Sequence, residues 1–158
     1  MRVAIGLPLS HTWRGHGSAI FAELGRLRPR ERHPPGSKLP PFRQPRGEVG
    51  IMIEWSWRVE RPRSIQFGSW STEARITSGV AGLAGERVAT IGVDGRLPEL
   101  VLGLADGRWL RSFMTSDGQP RWAVFLPDGS WLTVERGRIV HDTQNRRLRR
   151  GQLSRPSA

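Results

Sequence analysis

The sequence predicts an α+β domain over residues 51–142, with an antiparallel β-meander sheet of about six to seven strands and one short helix packed on it. Asp-Gly pairs recur between short apolar runs, and one further stretch has helical spacing. The same region carries eleven Arg against eleven Asp and Glu, whereas the residues on either side of it are strongly basic. We therefore expect a single core between the sheet and the helix.

The first strands are predicted from residues that alternate in polarity. Trp55, Trp57 and Val59 alternate with polar residues, so we expect a half-buried strand with all three side chains in the core. Ile65 and Phe67 repeat the alternation after a proline, which is typical of a second strand. The two strands are expected to form a hairpin.

The predicted helix lies between residues 71 and 85. Ser71 is a favourable N-cap residue, and the negative charge of Glu73 suits the N-terminal end of a helix. The residues whose spacing places them on one helical face are Ile76, Gly79, Val80 and Leu83. Gly85 is a natural stop. Glycine weakens a helix but permits close approach, so packing against the sheet is expected to stabilise this one.

Asp-Gly pairs divide the rest of the domain at intervals of 12, 11 and 11 residues. The pairs are Asp94-Gly95, Asp106-Gly107, Asp117-Gly118 and Asp128-Gly129. Asp-Gly favours hairpin turns, so the apolar runs between the pairs are expected to be strands. These runs are Leu100–Leu104, Trp109–Met114, Trp122–Leu126 and Trp131–Val134. A calcium-binding array is the alternative for regularly spaced Asp, but successive meander turns lie at opposite ends of a sheet, which favours turn chemistry. Residues 104–110 match residues 126–132 at five of seven positions, which indicates a repeated hairpin.

The flanking segments differ from this domain in composition. Residues 1–50 hold seven of the twelve prolines and a net charge of +6, and residues 143–158 carry +5 with no acidic residue. We predict a disordered extension over 1–50 and a disordered basic tail over 143–158. Within the extension, the residues with the spacing of one or two amphipathic helical turns are Ile20, Phe21, Leu24 and Leu27. A sharper hypothesis is that native translation begins at Met52.

The positive charge does not favour a nucleic-acid-binding domain, because all of the net +11 lies in the flanks. Binding through the basic tail Arg146–Arg150 is the alternative that remains. The absence of cysteine excludes disulfides and thiolate sites, and no apolar run approaches the length needed to cross a bilayer. We expect a cytoplasmic protein that is neither secreted nor bound to a membrane.

No catalytic, metal or cofactor motif stands out, so no cofactor is predicted and an enzyme is not the favoured interpretation. Three of the four histidines lie in the N-terminal flank, and only His141 borders the domain. An acid–base pair formed by Glu60 and Glu99 is conceivable if the fold brings the two carboxylates together.

Tryptophan provides the strongest indication of binding, because six of the seven Trp fall within residues 51–142. Trp anchors many protein interfaces, but a small core also needs bulky residues, and for the six Trp as a group the core is the favoured interpretation. Trp70 and the segment Arg96-Leu97-Pro98-Glu99 are predicted to be exposed on loops, where recognition residues concentrate. The candidate binding residues are Arg58, Glu60, Trp70, Arg96 and Glu99.

Four motifs of this domain together resemble a family of small uncharacterised bacterial proteins with no assigned activity. They are Trp55-Ser56-Trp57-Arg58, Gly68-Ser69-Trp70-Ser71, Gly95-Arg96-Leu97-Pro98-Glu99-Leu100 and Ser112-Phe113-Met114-Thr115. The resemblance covers about residues 52–142, implies a bacterial cytoplasmic protein, and transfers no catalytic residue.

Three functional hypotheses follow from the sequence. The first is a non-enzymatic protein-binding module, comparable to the immunity-type proteins with which bacteria neutralise a partner. The second is a β domain that binds or hydrolyses a small ligand or carbohydrate, with Trp for stacking and Glu60 or Glu99 as acids. The third is nucleic-acid binding through the basic tail.

Overall fold

The computed structural model describes residues 1–30 and 44–143 of the chain. These residues form eleven strands and one α-helix. One sheet has six strands in the order β1-β2-β3-β9-β10-β11: β1 (Leu9–Arg14), β2 (Ile20–Leu24), β3 (Val49–Ile53), β9 (Trp122–Phe125), β10 (Trp131–Glu135) and β11 (Arg138–Asp142). The other has five strands in the order β5-β4-β8-β7-β6: β4 (Trp57–Arg61), β5 (Ser64–Gly68), β6 (Val88–Asp94), β7 (Glu99–Leu104) and β8 (Trp109–Ser112). The helix α1 spans Glu73–Ala81.

The fold is therefore largely antiparallel β with a single helix, as predicted, but it has two sheets and more strands than the predicted meander. The inner faces of both sheets contribute to one hydrophobic core. Trp57 and Val59 of the five-stranded sheet belong to the same buried cluster as Ile53 and Trp122 of the six-stranded sheet. The second sheet, and not the helix alone, covers the apolar face.

The prediction of a disordered extension over residues 1–50 is corrected by the first two strands. β1 pairs with β2, and β2 pairs with β3 in a continuous antiparallel register. Leu9 and Leu24 are fully buried in the core. The apolar residues of β2 alternate, so that Ile20 and Leu24 face inward in a strand, and the predicted helical turn does not form. A chain that began at Met52 would lack β1, β2 and most of β3.

The rest of that prediction concerns residues outside the described ranges. The proline-rich residues 31–43 and the basic tail 144–158, with Arg146–Arg150, lie outside the described residues. Residues 1–30 and 44–143 contain no helix that is long and apolar enough to span a bilayer.

Helix α1 lies against β1 and β5, at one side of the two sheets. Its N-cap is Thr72, whose hydroxyl accepts a hydrogen bond from the N–H of Arg75, so the cap lies one residue beyond the predicted Ser71. Ile76 and Val80 are buried as predicted. A Cβ atom at Gly79 would lie 2.8 Å from the ring of Phe67, which confirms that a glycine here permits close approach to the sheet.

Three of the four Asp-Gly pairs form hairpin turns, and all four glycines have positive φ. The turns of the repeated motif have the same geometry. Asp106 and Asp128 each accept a hydrogen bond of 3.0 Å from the N–H two residues later. The fourth pair, Asp117-Gly118, lies where the chain crosses from one sheet to the other, between β8 and β9.

Two residues predicted to be buried are exposed. Trp55 is 49% exposed, because Ser56 adopts a positive φ of 58° and the strand alternation begins only at Trp57. Ile65 is 61% exposed, because an irregularity in the β4–β5 register shifts the alternation between the two strands. The predicted hairpin itself is present.

Candidate functional site

One end of the five-stranded sheet brings together several exposed residues, among them Trp55, Trp70 and Arg96. The strand register places four chain segments at this end. They are the start of β4, the end of β5, the end of β8 and the turn between β6 and β7. The register pairs that establish the alignment are Trp57 with Ser112, Arg58 with Gly68, Asp94 with Glu99 and Leu102 with Leu110. We call the loops at this end, residues 54–56, 69–72, 95–98 and 113–121, the Trp rim.

Trp70 is the most exposed large apolar residue of the rim, at 85%. Hydrogen bonds hold the residues on both sides of it. The N–H of Ser69 donates to the carbonyl of Trp57 at 2.9 Å, and the Ser69 hydroxyl accepts from the N–H of Trp57 at 3.2 Å. The Ser71 hydroxyl accepts from the N–H of Gly68 at 3.1 Å. The loop thus presents the indole to solvent from a fixed backbone.

Trp55 lies in the loop next to the Trp70 loop. The hydrogen bonds of Ser69 link the Trp70 loop to Trp57, at the start of β4. The Trp55 indole is half exposed, and the guanidinium of Arg121 lies 6.0 Å from its ring centroid. The buried Ser56 holds the turn between the two tryptophans, with its hydroxyl 3.0 Å from that of Thr115. Ser56 and its left-handed backbone direct Trp55 outward while Trp57 enters the core.

The predicted segment 96–99 divides into exposed and structural residues. Arg96 and Leu97 are exposed on the β6–β7 turn, with Leu97 at 45%. Pro98 is buried, and its carbonyl accepts a hydrogen bond of 2.8 Å from the indole N–H of Trp122 in the other sheet. This bond fixes the base of the turn that presents Arg96.

Glu99 is engaged by its own sheet. One carboxylate oxygen accepts a hydrogen bond of 2.6 Å from the N–H of Met114, and the other accepts from the hydroxyl of Ser112. That hydroxyl in turn accepts from the N–H of Leu100 at 2.9 Å. The carboxylate therefore holds the end of β8 against β7.

Arg58 and Glu60 form an ion pair on the outer face of β4, with Nε and Oε1 2.6 Å apart. The Arg58 guanidinium also lies 4.9 Å from the ring centroid of Phe113. Glu60 and Glu99 stand two interstrand spacings apart, about 10 Å, and four residues apart along the sheet, about another 13 Å, because Glu60 is level with Trp109 and Gly103. The geometry does not place the two carboxylates on one ligand.

Trp70 and Arg96 thus share the Trp rim and Glu99 lies beside it at the start of β7, but the three residues do not form one contact patch. Trp70 follows β5 and Arg96 follows β6, at opposite edges of the five-stranded sheet. Four interstrand spacings separate these edges, about 19 Å. Trp55 and Phe113 lie between them along the rim.

One histidine lies beside a serine and an aspartate, in an arrangement that does not serve nucleophilic catalysis. Ser130 lies in the middle, since its hydroxyl donates to Asp128 at 2.6 Å and is 2.7 Å from Nε2 of His141. A catalytic triad needs the histidine in the middle, as base to the serine. Hydrogen bonds from the hydroxyl and then the N–H of Ser130 lower the pKa of Asp128 below its ordinary 3.8. The group caps the β9–β10 turn.

Metal binding has no support in the described ranges, 1–30 and 44–143. They contain no group of three or more His, Asp or Glu side chains placed to hold a metal ion. The turn aspartates have other partners, since Asp94 pairs with Arg111 and Asp106 with Arg108.

Sequence reasoning missed two sets of surface residues. The sequence predicts Trp55 in the core because the alternation continues unbroken into the preceding residues, and nothing in the sequence signals the positive φ of Ser56. The aromatic and acidic residues Trp13, Phe21 and Glu23 fall within the predicted extension. The alternation of Ile20, Ala22 and Leu24 was the signal that could have placed them on a strand.

Comparisons with known proteins give no relative: no protein-family model, no curated protein and no solved structure matches the chain significantly.

Proposed function

We propose that this chain is a non-enzymatic protein-binding module that engages its partner through the Trp rim. The observation that carries the proposal is the exposure of Trp70, 85%, on a backbone held at both sides by hydrogen bonds. A large indole left in water by a pre-ordered loop loses little conformational freedom on binding. Trp is also among the residues that most often dominate the binding energy of protein interfaces.

Other residues of the Trp rim support an interface of this kind. Trp55 and Leu97 are each close to half exposed, at 49% and 45%, and Arg96 lies on the same rim. Apolar anchors accompanied by arginine are the composition enriched at protein interfaces. We propose a folded protein as the partner, bound in the cytoplasm of a bacterium. An immunity-type role, in which the module neutralises that partner, is the narrower form of the proposal.

The hydrolytic alternative has less support. Glu99 accepts a hydrogen bond from the N–H of Met114, Glu60 forms an ion pair with Arg58, and the two carboxylates lie at separate parts of the sheet. Binding of nucleic acid through Arg146–Arg150 depends on residues outside the described ranges. It stays a hypothesis, and deletion of residues 143–158 tests it. Unchanged DNA affinity and salt dependence after the deletion would remove it.

A photo-crosslinking residue at position 70 tests the proposal in the native host. Ile65 provides the matched control, since it is also an exposed apolar residue, 61%, but lies on β5 at the start of the strand. We expect a discrete protein adduct from position 70 and none from position 65. Trp70→Ala is expected to abolish co-purification of the same protein, and Ile65→Ala to retain it. Equal adducts at both positions, or none under several growth conditions, would contradict the proposal.

A further inference from the structure

We propose a second binding site, on the outer face of the six-stranded sheet, for one neutral hydroxyl-bearing ring such as a monosaccharide unit. This face holds a cavity of about 220 Å³. The residues that line it and carry the argument are Trp13, Phe21, Glu23, Arg30, Gln44 and Phe125. The site belongs to the other sheet from the Trp rim and does not depend on the proposed protein partner.

Aromatic rings form one wall of the cavity. Trp13 pairs with Phe21 across β1 and β2, and the two rings stack with centroids 4.9 Å apart and planes 7° from parallel. His11 extends the row, with its ring centroid 5.1 Å from that of Trp13. Nε2 of His11 is held 2.6 Å from Oε1 of Gln44. This stacked row forms a rigid apolar wall of the cavity.

A buried carboxylate provides the polar part of the cavity. The Glu23 side chain is only 5% exposed, although it lies on the outer face of the sheet. One of its oxygens accepts a hydrogen bond of 2.8 Å from Nη2 of Arg30, and the other accepts one of 2.8 Å from the N–H of Gly47. A carboxylate has about four acceptor positions, and these two contacts, which are those made by described residues, use one position at each oxygen.

Gly50 of the central strand β3 lets the polar and aromatic walls of the cavity come close together. It pairs with Glu23 on one side and with Phe125 on the other. A Cβ atom at this position would lie 3.2 Å from the Phe125 ring and 3.3 Å from Oε2 of Glu23. Both side chains can therefore approach over the bare backbone of Gly50, with the Phe125 ring 37% exposed.

The chemistry of these walls selects the ligand. The Arg30 guanidinium offsets the negative charge of Glu23, which disfavours a cation and an anion alike. Paired donors and acceptors suit hydroxyl groups, which both donate and accept, and an aromatic face suits the C–H face of a ring. The volume fits one ring, since a cavity of about 150 Å³ holds benzene and drug-sized ligands need about 300 Å³ or more.

Titration of the full chain with methyl glycosides of common monosaccharides tests the site, with backbone amide shifts followed by NMR. We expect saturable shifts at Gly47 and Gly50. Phe125→Ala, at a partly exposed position, is expected to weaken binding about tenfold while the chain stays folded, because it removes one ring contact. Glu23→Gln is expected to weaken glycoside binding more than Phe125→Ala does. If the Glu23 variant does not fold, the affinity of Phe125→Ala alone decides the test.

Ile139→Ala is the control, since Ile139 is a 43% exposed residue of the edge strand β11 in the same sheet and does not line the cavity. It is expected to leave the glycoside affinity unchanged, as is Trp70→Ala on the rim. Absence of saturable shifts with every glycoside would overturn the proposal. So would binding of tetramethylammonium or benzoate at this cavity in place of the sugars.

Discussion

The indole N–H of Trp57 donates a hydrogen bond of 2.6 Å to the main-chain carbonyl of Ser18. Trp57 starts β4 of the five-stranded sheet, whereas Ser18 lies in the loop between β1 and β2 of the six-stranded sheet. Trp122 makes the reciprocal bond, from the six-stranded sheet to Pro98 of the other sheet. Two fully buried tryptophans therefore join the sheets by polar contacts within an apolar core.

Substitution Trp57→Phe tests this junction. The smaller ring keeps the aromatic packing but leaves the Ser18 carbonyl without its donor and removes part of the core volume. We expect the free energy of unfolding to fall by about 2–3 kcal/mol, as measured by urea denaturation. Trp109→Phe is the control, because Trp109 is 41% exposed on the outer face, and a change within about 0.5 kcal/mol is expected. Equal losses in both variants would contradict a specific role for the indole N–H.

Gly79 and Gly82 form a matched pair in and after helix α1. Gly79→Ala places a methyl group 2.8 Å from the Phe67 ring, so the strain is expected to exceed the gain in helix propensity and destabilise the chain by about 1 kcal/mol. At Gly82 the nearest atoms are 3.4 Å away, and Gly82→Ala is expected to be neutral or stabilising by up to about 1 kcal/mol. Thermal unfolding of the two variants measures the difference, and the opposite order would show that the helix does not approach Phe67.

Variants of Glu99, beside the Trp rim, and of Arg96, on the rim, are expected to separate a structural role from a role in recognition. Glu99→Gln weakens the acceptor for the Ser112 hydroxyl and the Met114 N–H, so we expect a loss of about 1–2 kcal/mol in the free energy of unfolding. Arg96→Ala at the exposed turn is expected to stay within about 0.5 kcal/mol of the parent. Urea denaturation gives both values. An unchanged free energy of unfolding in Glu99→Gln would contradict the structural role of Glu99 and leave it as a candidate binding residue.

The pKa of Asp128 gives a test of the β9–β10 turn by pH. Hydrogen bonds from Ser130 lower this pKa in the folded chain below 3.8, so the group stabilises the fold above that value. The stabilisation is lost as the pH falls from 3.8 through the folded pKa. Ser130→Ala is expected to raise the Asp128 pKa towards its ordinary value in an NMR carboxyl titration. His141→Ala is expected to raise it less, and the reverse order would show that the histidine charge dominates.

The hairpins of the second half of the chain could be predicted, because their signal is local. An Asp-Gly pair both favours a positive φ at the glycine and supplies a side-chain acceptor for the next turn residues. Strands β7, β8 and β10 accordingly lie within two residues of the predicted runs. The number of sheets could not be predicted in the same way, since no local pattern shows that β8 and β9 belong to different sheets.

The first two strands and the cavity on them were missed for a compositional reason. β2 is rich in apolar residues on both faces, so its spacing fits a helical turn as well as a strand. The proline- and arginine-rich residues 31–43 that follow it gave the whole flank the composition of a disordered segment. The pairing partner that decides between these conformations, β3, lies more than twenty residues later in the sequence.

A chain that begins at Met52 tests most directly whether the N-terminal strands complete the fold. Without β1, β2 and most of β3, the inner face of the five-stranded sheet loses the layer that covers it, and Trp57 loses its Ser18 acceptor. We predict that residues 52–158 show no cooperative thermal transition and poorly dispersed amide resonances, whereas the full chain shows both a cooperative transition and good dispersion. Cooperative unfolding of the shortened chain near the midpoint of the full chain would contradict the account.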